Sequence, residues 1–237
     1  MPERQIVAIG GGGVSQDPDN SLLVDYLVGL AGRDRPRVCL LATASGDRES
    51  GLLLGYRAFA RRGCPTTHLS LFPRQVEDLR GLLLAQDLVY VGGGSTANLL
   101  AVWRVHGLDR LLREAWEAGV ILAGVSAGAI CWFEAGTTDS FGPTLAPLRD
   151  GLGFLAGSCC PHYDGEPQRR PTYQRWVAEG LPGGLALDDG CAARFRGTEL
   201  AEVVTSLPDA RAYRVERDMA TPGGGASETP MAARLLG

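Results

Sequence analysis

The stretch Ile121-Leu122-Ala123-Gly124-Val125-Ser126-Ala127-Gly128-Ala129-Ile130 restricts what this chain can fold into more than any other. An apolar run ends in Gly-x-Ser-x-Gly, and a helix-like segment follows. That is the pattern of a nucleophile elbow, in which a strand ends, the chain turns sharply and a helix begins under the serine. Glycines flank the serine because the turn leaves no room for Cβ atoms on either side. The turn lifts the Ser126 hydroxyl clear of the sheet, and the helix N-terminus offers backbone N–H groups to a developing oxyanion. The pattern predicts a serine nucleophile. Small residues also occur at such turns for packing alone, so the rest of the chain must supply the partners.

The surrounding elements predict an α/β protein. Apolar strands are expected at Gln5–Ile9, Arg37–Thr43, Thr66–Leu71 and Asp87–Val91, with helices at Ser21–Ala31, Leu52–Arg62, Gln75–Ala85, from near Asn98, and at Leu108–Ala118. Alternating strands and helices imply a mainly parallel sheet with helices on both faces, whose sites lie beyond the C-terminal strand ends. Glu134 falls within or near the elbow helix, and 137–143 reads as a loop or edge region. Phe154–Cys160 is then a strand, Arg169–Glu179 a helix, and Gly184–Gly190 a strand entering an acidic turn. The C-terminal portion reads as β-rich, with a glycine-rich turn over Thr221–Glu228 and a hairpin formed by Ala232–Leu236. With 237 residues, 45% of them hydrophobic, a single α/β domain over residues 1–237 is expected.

Several classes drop out. A net charge of -4 gives no electrostatic case for nucleic acid. No apolar run is long enough to span a membrane, and Met1-Pro2-Glu3-Arg4-Gln5 lacks the basic-then-apolar design of a signal peptide, so a cytoplasmic protein is expected. The six cysteines form no CxxC pair and read as reduced and buried. Cys159, Cys160 and His162 lack a fourth ligand at sensible spacing, so no metal is expected. All 23 basic residues are arginine, which removes a Ser-Lys dyad, a Schiff-base lysine and a P-loop lysine. Gly10-Gly11-Gly12-Gly13 follows the first strand, but it is not GxGxxG and no ribose-binding acid follows a second strand, so no dinucleotide cofactor is expected.

A serine nucleophile needs a base, and the base an orienting acid. The chain offers three histidines. His162 follows an apolar strand in a Pro161-His162-Tyr163-Asp164 loop and is the best placed. His68 sits within a strand, and His106 sits at a helix end, where a cation suits the dipole. Four residues compete for the acid: Asp188 and Asp189 at a strand end, Asp139 after the elbow helix, and Glu134. Asp189 precedes Gly190, which permits a tight turn that could aim a carboxylate inward. Gly92-Gly93-Gly94, at another strand end, can present N–H groups to an oxyanion, with the Ala127 N–H as a second donor.

Read together, Val91-Gly92-Gly93-Gly94-Ser95-Thr96, Gly124-Val125-Ser126-Ala127-Gly128-Ala129, Pro161-His162-Tyr163 and Leu187-Asp188-Asp189-Gly190 resemble peptidase family S51, which contains aspartyl dipeptidase (peptidase E) and cyanophycinase. The resemblance implies a class I glutamine-amidotransferase-like (flavodoxin-like) arrangement and cofactor-free hydrolysis of short peptides by a Ser–His–Glu triad. Carried onto this chain, it makes Ser126 the nucleophile and His162 the base, and it puts Gly93, Gly94 and Ala127 around the oxyanion. The acid falls on Asp189, an aspartate where relatives have glutamate, with Asp139 in reserve. The resemblance also suggests an N-terminal aspartate in the substrate. Arg170 and Arg175, with Arg169 beside them, lie where specificity residues are expected, although the aligned position itself falls on Thr172. The expected activity is thus a serine exopeptidase on dipeptides and tripeptides. The alternatives are a non-peptide amidohydrolase or a catalytically inactive binding module. An amidotransferase subunit would need cysteine at position 126. An exposed edge at the C-terminal hairpin would suit a homodimer.

Overall fold

The computed structural model describes residues 3–14, 21–220 and 224–237. Its first sheet contains β1 (Gln5–Ile9), β2 (Val38–Leu41), β3 (Thr66–His68), β4 (Leu88–Val91) and β5 (Ile121–Val125), all parallel, in the order β3-β2-β4-β5-β1. β1, β2, β4 and β5 are short apolar runs with side chains buried on both faces, as covered parallel strands must be, whereas β3, at the sheet edge, is Thr66-Thr67-His68 and only partly buried. In β1, Ile6 and Ala8 enter one face's core while Val7 and Ile9 enter the other. Helices α1 (Leu22–Leu30) and α2 (Glu49–Ala60) cover the Val7 face. Helices α3 (Leu79–Leu84), α4 (Thr96–His106), α5 (Leu108–Glu117) and the short α6 (Ala127–Ile130) cover the other.

The expected single sheet is corrected at residue 133. The elbow helix stops at Ile130, and Phe133–Thr138 is a strand, β6. The reason is local: after Trp132 the sequence Phe-Glu-Ala-Gly-Thr-Thr ends in β-branched residues, and Gly136 sits where a Cβ would stand 2.6 Å from Ile130 Cγ2. β6 opens a second sheet with β7 (Ala146–Leu148), β8 (Leu155–Cys160) and β9 (Gly184–Leu187), which β12 (Ala212–Asp218) and β13 (Gly225–Met231) complete. Its central strands β6, β8 and β9 are parallel. The remaining strands, β10 (Cys191–Arg196), β11 (Glu199–Thr205) and β14 (Arg234–Leu235), extend the first sheet beyond β1.

The C-terminal expectation is corrected too. Gly225–Met231 is strand rather than turn and pairs antiparallel with β12. Arg234 and Leu235 do not close a hairpin; they cross to the first sheet and pair parallel with β11. The expected turn residues 221–223 lie outside the described part.

The largest apolar cluster draws on both sheets. Trp103, Trp116, Trp132, Phe133, Phe154 and Leu185 fill the space between them, and Trp116 stacks on Phe154 with centroids 5.6 Å apart. On the far face of the second sheet, Tyr173 and Val177 of α7 (Arg169–Ala178) pack on Ala135, Ala186 and Val215. The layers therefore run helices, sheet, helices, sheet, helix.

Candidate active site

Four strand ends converge: β5 delivers Ser126, β4 the Gly92–Gly94 loop, β8 His162 and β9 Asp189. Serine comes from one sheet, histidine and aspartate from adjacent parallel strands of the other, so the site spans the seam between sheets.

The elbow is strained as its sequence requires. Ser126 has φ 56° and ψ -114°, a region that non-glycine residues avoid at a cost of about 1–3 kcal/mol. Its neighbours hold it there. The Ser126 N–H donates to Ile9 O at 3.0 Å, and the Ala129 and Ile130 N–H groups donate to Ser126 O. A Cβ on Gly124 would stand 2.1 Å from Gly128 O, and one on Gly128 would stand 2.4 Å from Val91 O, so both flanking glycines are obligatory.

His162 is 7% exposed and, like the serine, has a positive φ, 54°. Its Nδ1 lies 2.6 Å from Asp189 Oδ1 and its Nε2 2.9 Å from Ser126 Oγ. An ionised carboxylate only accepts, so Nδ1 carries the ring proton and Nε2 is left to accept from the Ser126 hydroxyl. Asp189 is fixed in turn. Its N–H donates to Asp164 Oδ1 at 2.9 Å, and it forms a bridge with Gly11.

Of the four candidate acids, Asp189 is the one in contact with His162. Asp139 is exposed and makes no contact with His162, and Glu134 accepts the Gly157 N–H. Asp188 points away from the histidine. Its Oδ2 accepts the Arg211 N–H, its Oδ1 has no partner among the described residues, and burial pushes its carboxyl up to about 6. The other two histidines have ordinary settings: exposed His68 meets the Tyr56 hydroxyl at 2.7 Å, and His106 ends α4.

Around the serine, the backbone N–H groups of Gly93, Gly94 and Ala127 have no acceptor among the described residues. A Cβ on Gly93 would stand 3.2 Å from Ser126 Cβ, so this loop passes directly beside the nucleophile. Gly94 has φ 137° and presses against Ala44 O, and Ser95 caps α4 through the Asn98 N–H.

The candidate specificity arginines are not brought to this centre. Arg170 ion-pairs with Glu228 and lies over the rings of Tyr163 and Tyr213, so its charge is already matched within the chain. Arg175 is exposed and lies over Trp176. Arg169 is buried, donating to Glu166 and to Thr137 O, and Thr172 lies in the first turn of α7 with its N–H donating to Gln168 O.

One element of the site was not apparent from sequence. A Cβ on Gly11 would stand 1.8 Å from Asp189 Oδ1 and 2.5 Å from His162 Nδ1. The glycine run after β1 is thus the floor beneath the His–Asp pair. The signal was the absence of any phosphate-binding pattern around four successive glycines at a strand end.

A strained serine elbow at a parallel strand end, with histidine and carboxylate in line, belongs to the hydrolase class. Comparison makes the class specific. The model of peptidase family S51 matches residues 6–203, and the chain belongs to that family. It is 48% identical over 238 residues to the uncharacterized peptidase YgaJ of Bacillus subtilis, covering 99% of this chain and 100% of that one. It is 29% identical to Peptidase E of Shewanella denitrificans over 53% of this chain and 57% of that one. Among solved structures, a peptidase from an acI-B1 Actinobacterium shares the fold, with a TM-score of 0.70 at 20% identity over 98% of this chain and 95% of that one.

Proposed function

We propose that the protein is a cytoplasmic serine exopeptidase that hydrolyses dipeptides and tripeptides through Ser126, His162 and Asp189. The observation that carries the reading is the continuous chain from Ser126 Oγ through both ring nitrogens of His162 to Asp189. Ser126 Oγ attacks the scissile carbonyl carbon while its proton passes to His162 Nε2. The carbonyl oxygen takes up negative charge among the N–H groups of Gly93, Gly94 and Ala127. As the C–N bond breaks, Nε2 returns the proton to the leaving amine. Water then repeats the sequence on the acyl-enzyme. Asp189 holds the imidazole in the required tautomer and stabilises the imidazolium.

Selection for an N-terminal aspartate would need a cation free for its carboxylate. Glu228 already occupies Arg170, so the reading extends to short peptides without that restriction. The six buried, unbridged cysteines accord with a reducing compartment. We read the first sheet as a variant of the amidotransferase-like arrangement, with β1 set beside β5. A homodimer through the C-terminal edge belongs to the same proposal.

The test is hydrolysis of Asp-Leu, Leu-Leu, Ala-Ala and Met-Leu by wild type and Ser126→Ala. Loss of cleavage by a factor of about 10^4 or more in the variant supports the reading. A wild type that cleaves no peptide turns the reading toward a non-peptide amide.

A further inference from the structure

A cavity of about 290 Å3 lies between α2 and the C-terminal ends of β2 and β4. Its walls are mostly apolar and include Leu40, Leu52, Leu54, Tyr90 and Val125. Among its polar side chains, Arg48 and Ser50 are exposed, and the Ser45 hydroxyl donates to Ala42 O at 2.9 Å. The cavity adjoins the nucleophile. Gly93 lines it, and a Cβ on Gly93 would stand 3.2 Å from Ser126 Cβ. Val125, another wall residue, directly precedes Ser126. Such a space suits one large apolar side chain.

The position of the histidine decides which half of a peptide enters it. In the first sheet β5 stands between β1 and β4, and β2 lies beyond β4. His162 stands over the β1 side of the serine: its N–H donates to Gly10 O at 3.3 Å, and a Cβ on Gly11 would stand 2.5 Å from its Nδ1. The cavity lies on the opposite side, at the ends of β4 and β2. The two faces of the sheet divide the remaining directions. Ala127, an oxyanion donor, belongs to the apolar cluster on the α6 face, whereas Leu40, Tyr90 and Val125 belong to the cluster on the α2 face. The attacked carbon carries four bonds. One goes to Ser126 Oγ, one to the oxyanion held by Gly93, Gly94 and Ala127, and one to the leaving nitrogen, which must face His162 Nε2 to take its proton. The fourth, to the acyl Cα, is directed away from the histidine, toward the cavity.

From this geometry we infer that the α2 pocket binds the side chain of the acyl residue, the one whose carbonyl Ser126 attacks, and that it selects a large apolar group. The inference rests on the peptidase reading and adds the substrate class: short peptides with leucine- or phenylalanine-like residues on the acyl side of the scissile bond, the first residue of a dipeptide.

The experiment measures kcat/KM for Leu-Ala, Phe-Ala, Ala-Ala, Asp-Ala and Ala-Leu in wild type, Leu52→Ala and Leu54→Ala, with fluorophosphonate labelling of Ser126 in each enzyme. Both leucines are wall residues and only half-buried, so the truncations are mild for the fold. A second measurement needs no variant: the rates at which diphenyl phosphonate analogues of alanine and leucine label Ser126, and the place of the isobutyl group in a crystal structure of the leucine adduct. In these analogues phosphorus replaces the attacked carbonyl carbon, so the side chain sits where that of the acyl residue would. Wild type is expected to favour Leu-Ala or Phe-Ala over Ala-Ala, Asp-Ala and Ala-Leu by about tenfold or more, the scale of apolar discrimination in a fitted pocket. The leucine analogue should label faster than the alanine one, with its isobutyl group in the α2 pocket. Leu52→Ala and Leu54→Ala should each lower the Leu-Ala to Ala-Ala ratio by about fourfold, the scale of one lost methylene contact. A wild type that labels and cleaves but treats Ala-Ala or Asp-Ala as well as Leu-Ala and Phe-Ala would overturn the inference and leave the peptidase standing. So would folded variants that keep the wild-type ratio, or an adduct with its isobutyl group elsewhere. A wild type that neither labels nor cleaves removes both.

Discussion

Gly11 lies so close to Asp189 that a single methyl group on it would overlap the carboxylate: the added Cβ would stand 1.8 Å from Oδ1. Gly11 is not among the residues with positive φ, so alanine is allowed by the backbone and its whole effect falls on the His–Asp pair. Gly11→Ala is therefore expected to displace Asp189 or His162 and lower kcat/KM by about 100-fold, the scale of an ångström-sized misplacement. Peptide kinetics alongside a melting curve check it. A folded variant with wild-type kinetics would show that the floor is dispensable.

The same crowding explains an aspartate where the family resemblance implies glutamate. Gly11 presses on one Asp189 oxygen, and Gly165 lies near the other, its Cβ position 2.6 Å from Oδ2. A longer arm has nowhere to go. Asp189→Glu should keep the charge yet lose activity by about 100-fold through misplaced geometry. Asp189→Asn should lose about 10^4-fold in kcat, because an amide no longer enforces the Nδ1–H tautomer. The two variants separate length from charge. A glutamate variant as active as wild type would mean that the glycines yield.

The parts of this site that were legible in sequence are those written locally. Gly124, Ser126 and Gly128 announce an elbow because the strain and both close approaches arise within a few residues. His162 and Asp189 were nameable as strand-end residues, although only their 2.6 Å contact selects Asp189 over Asp188, Asp139 and Glu134. What depends on distant pairing was hidden. Phe133–Thr138 reads from sequence as a helix end passing into a loop or edge region, because its partner β8 starts only at Leu155. Gly10–Gly13 had no visible purpose because Asp189 lies far along the chain. Arg170 looked free for a substrate because Glu228 is 58 residues away.

The elbow's glycines should be costly to replace, unlike a glycine on an exposed helix face. A Cβ on Gly124 meets the Gly128 carbonyl oxygen, a backbone atom that cannot rotate aside. Gly124→Ala is expected to destabilise by about 3 kcal/mol, as overpacking at a rigid position does. Gly29, exposed in α1 with open space at its Cβ, should show the opposite sign: Gly29→Ala should stabilise by about 0.5–1 kcal/mol through helix propensity. Urea unfolding of both variants tests the contrast, and equal effects would contradict it.

Asp188 carries a stability dependence on pH whose sign follows from its environment. Unfolded, an aspartate carboxyl titrates near 3.9. Folded, it is 4% exposed with one oxygen unpartnered, and burial raises it to about 6. Between those values the folded protein holds a proton that the unfolded chain has released, so stability falls as pH rises through this window and stays lower above it. The deficit at pH 8 is about 1–3 kcal/mol. Asp188→Asn is neutral at every pH and keeps an oxygen for the Arg211 N–H. It should therefore raise Tm at pH 8 by several degrees and leave it unchanged near pH 4. A Tm gain of the same size at both pH values would show that the carboxyl is not the source.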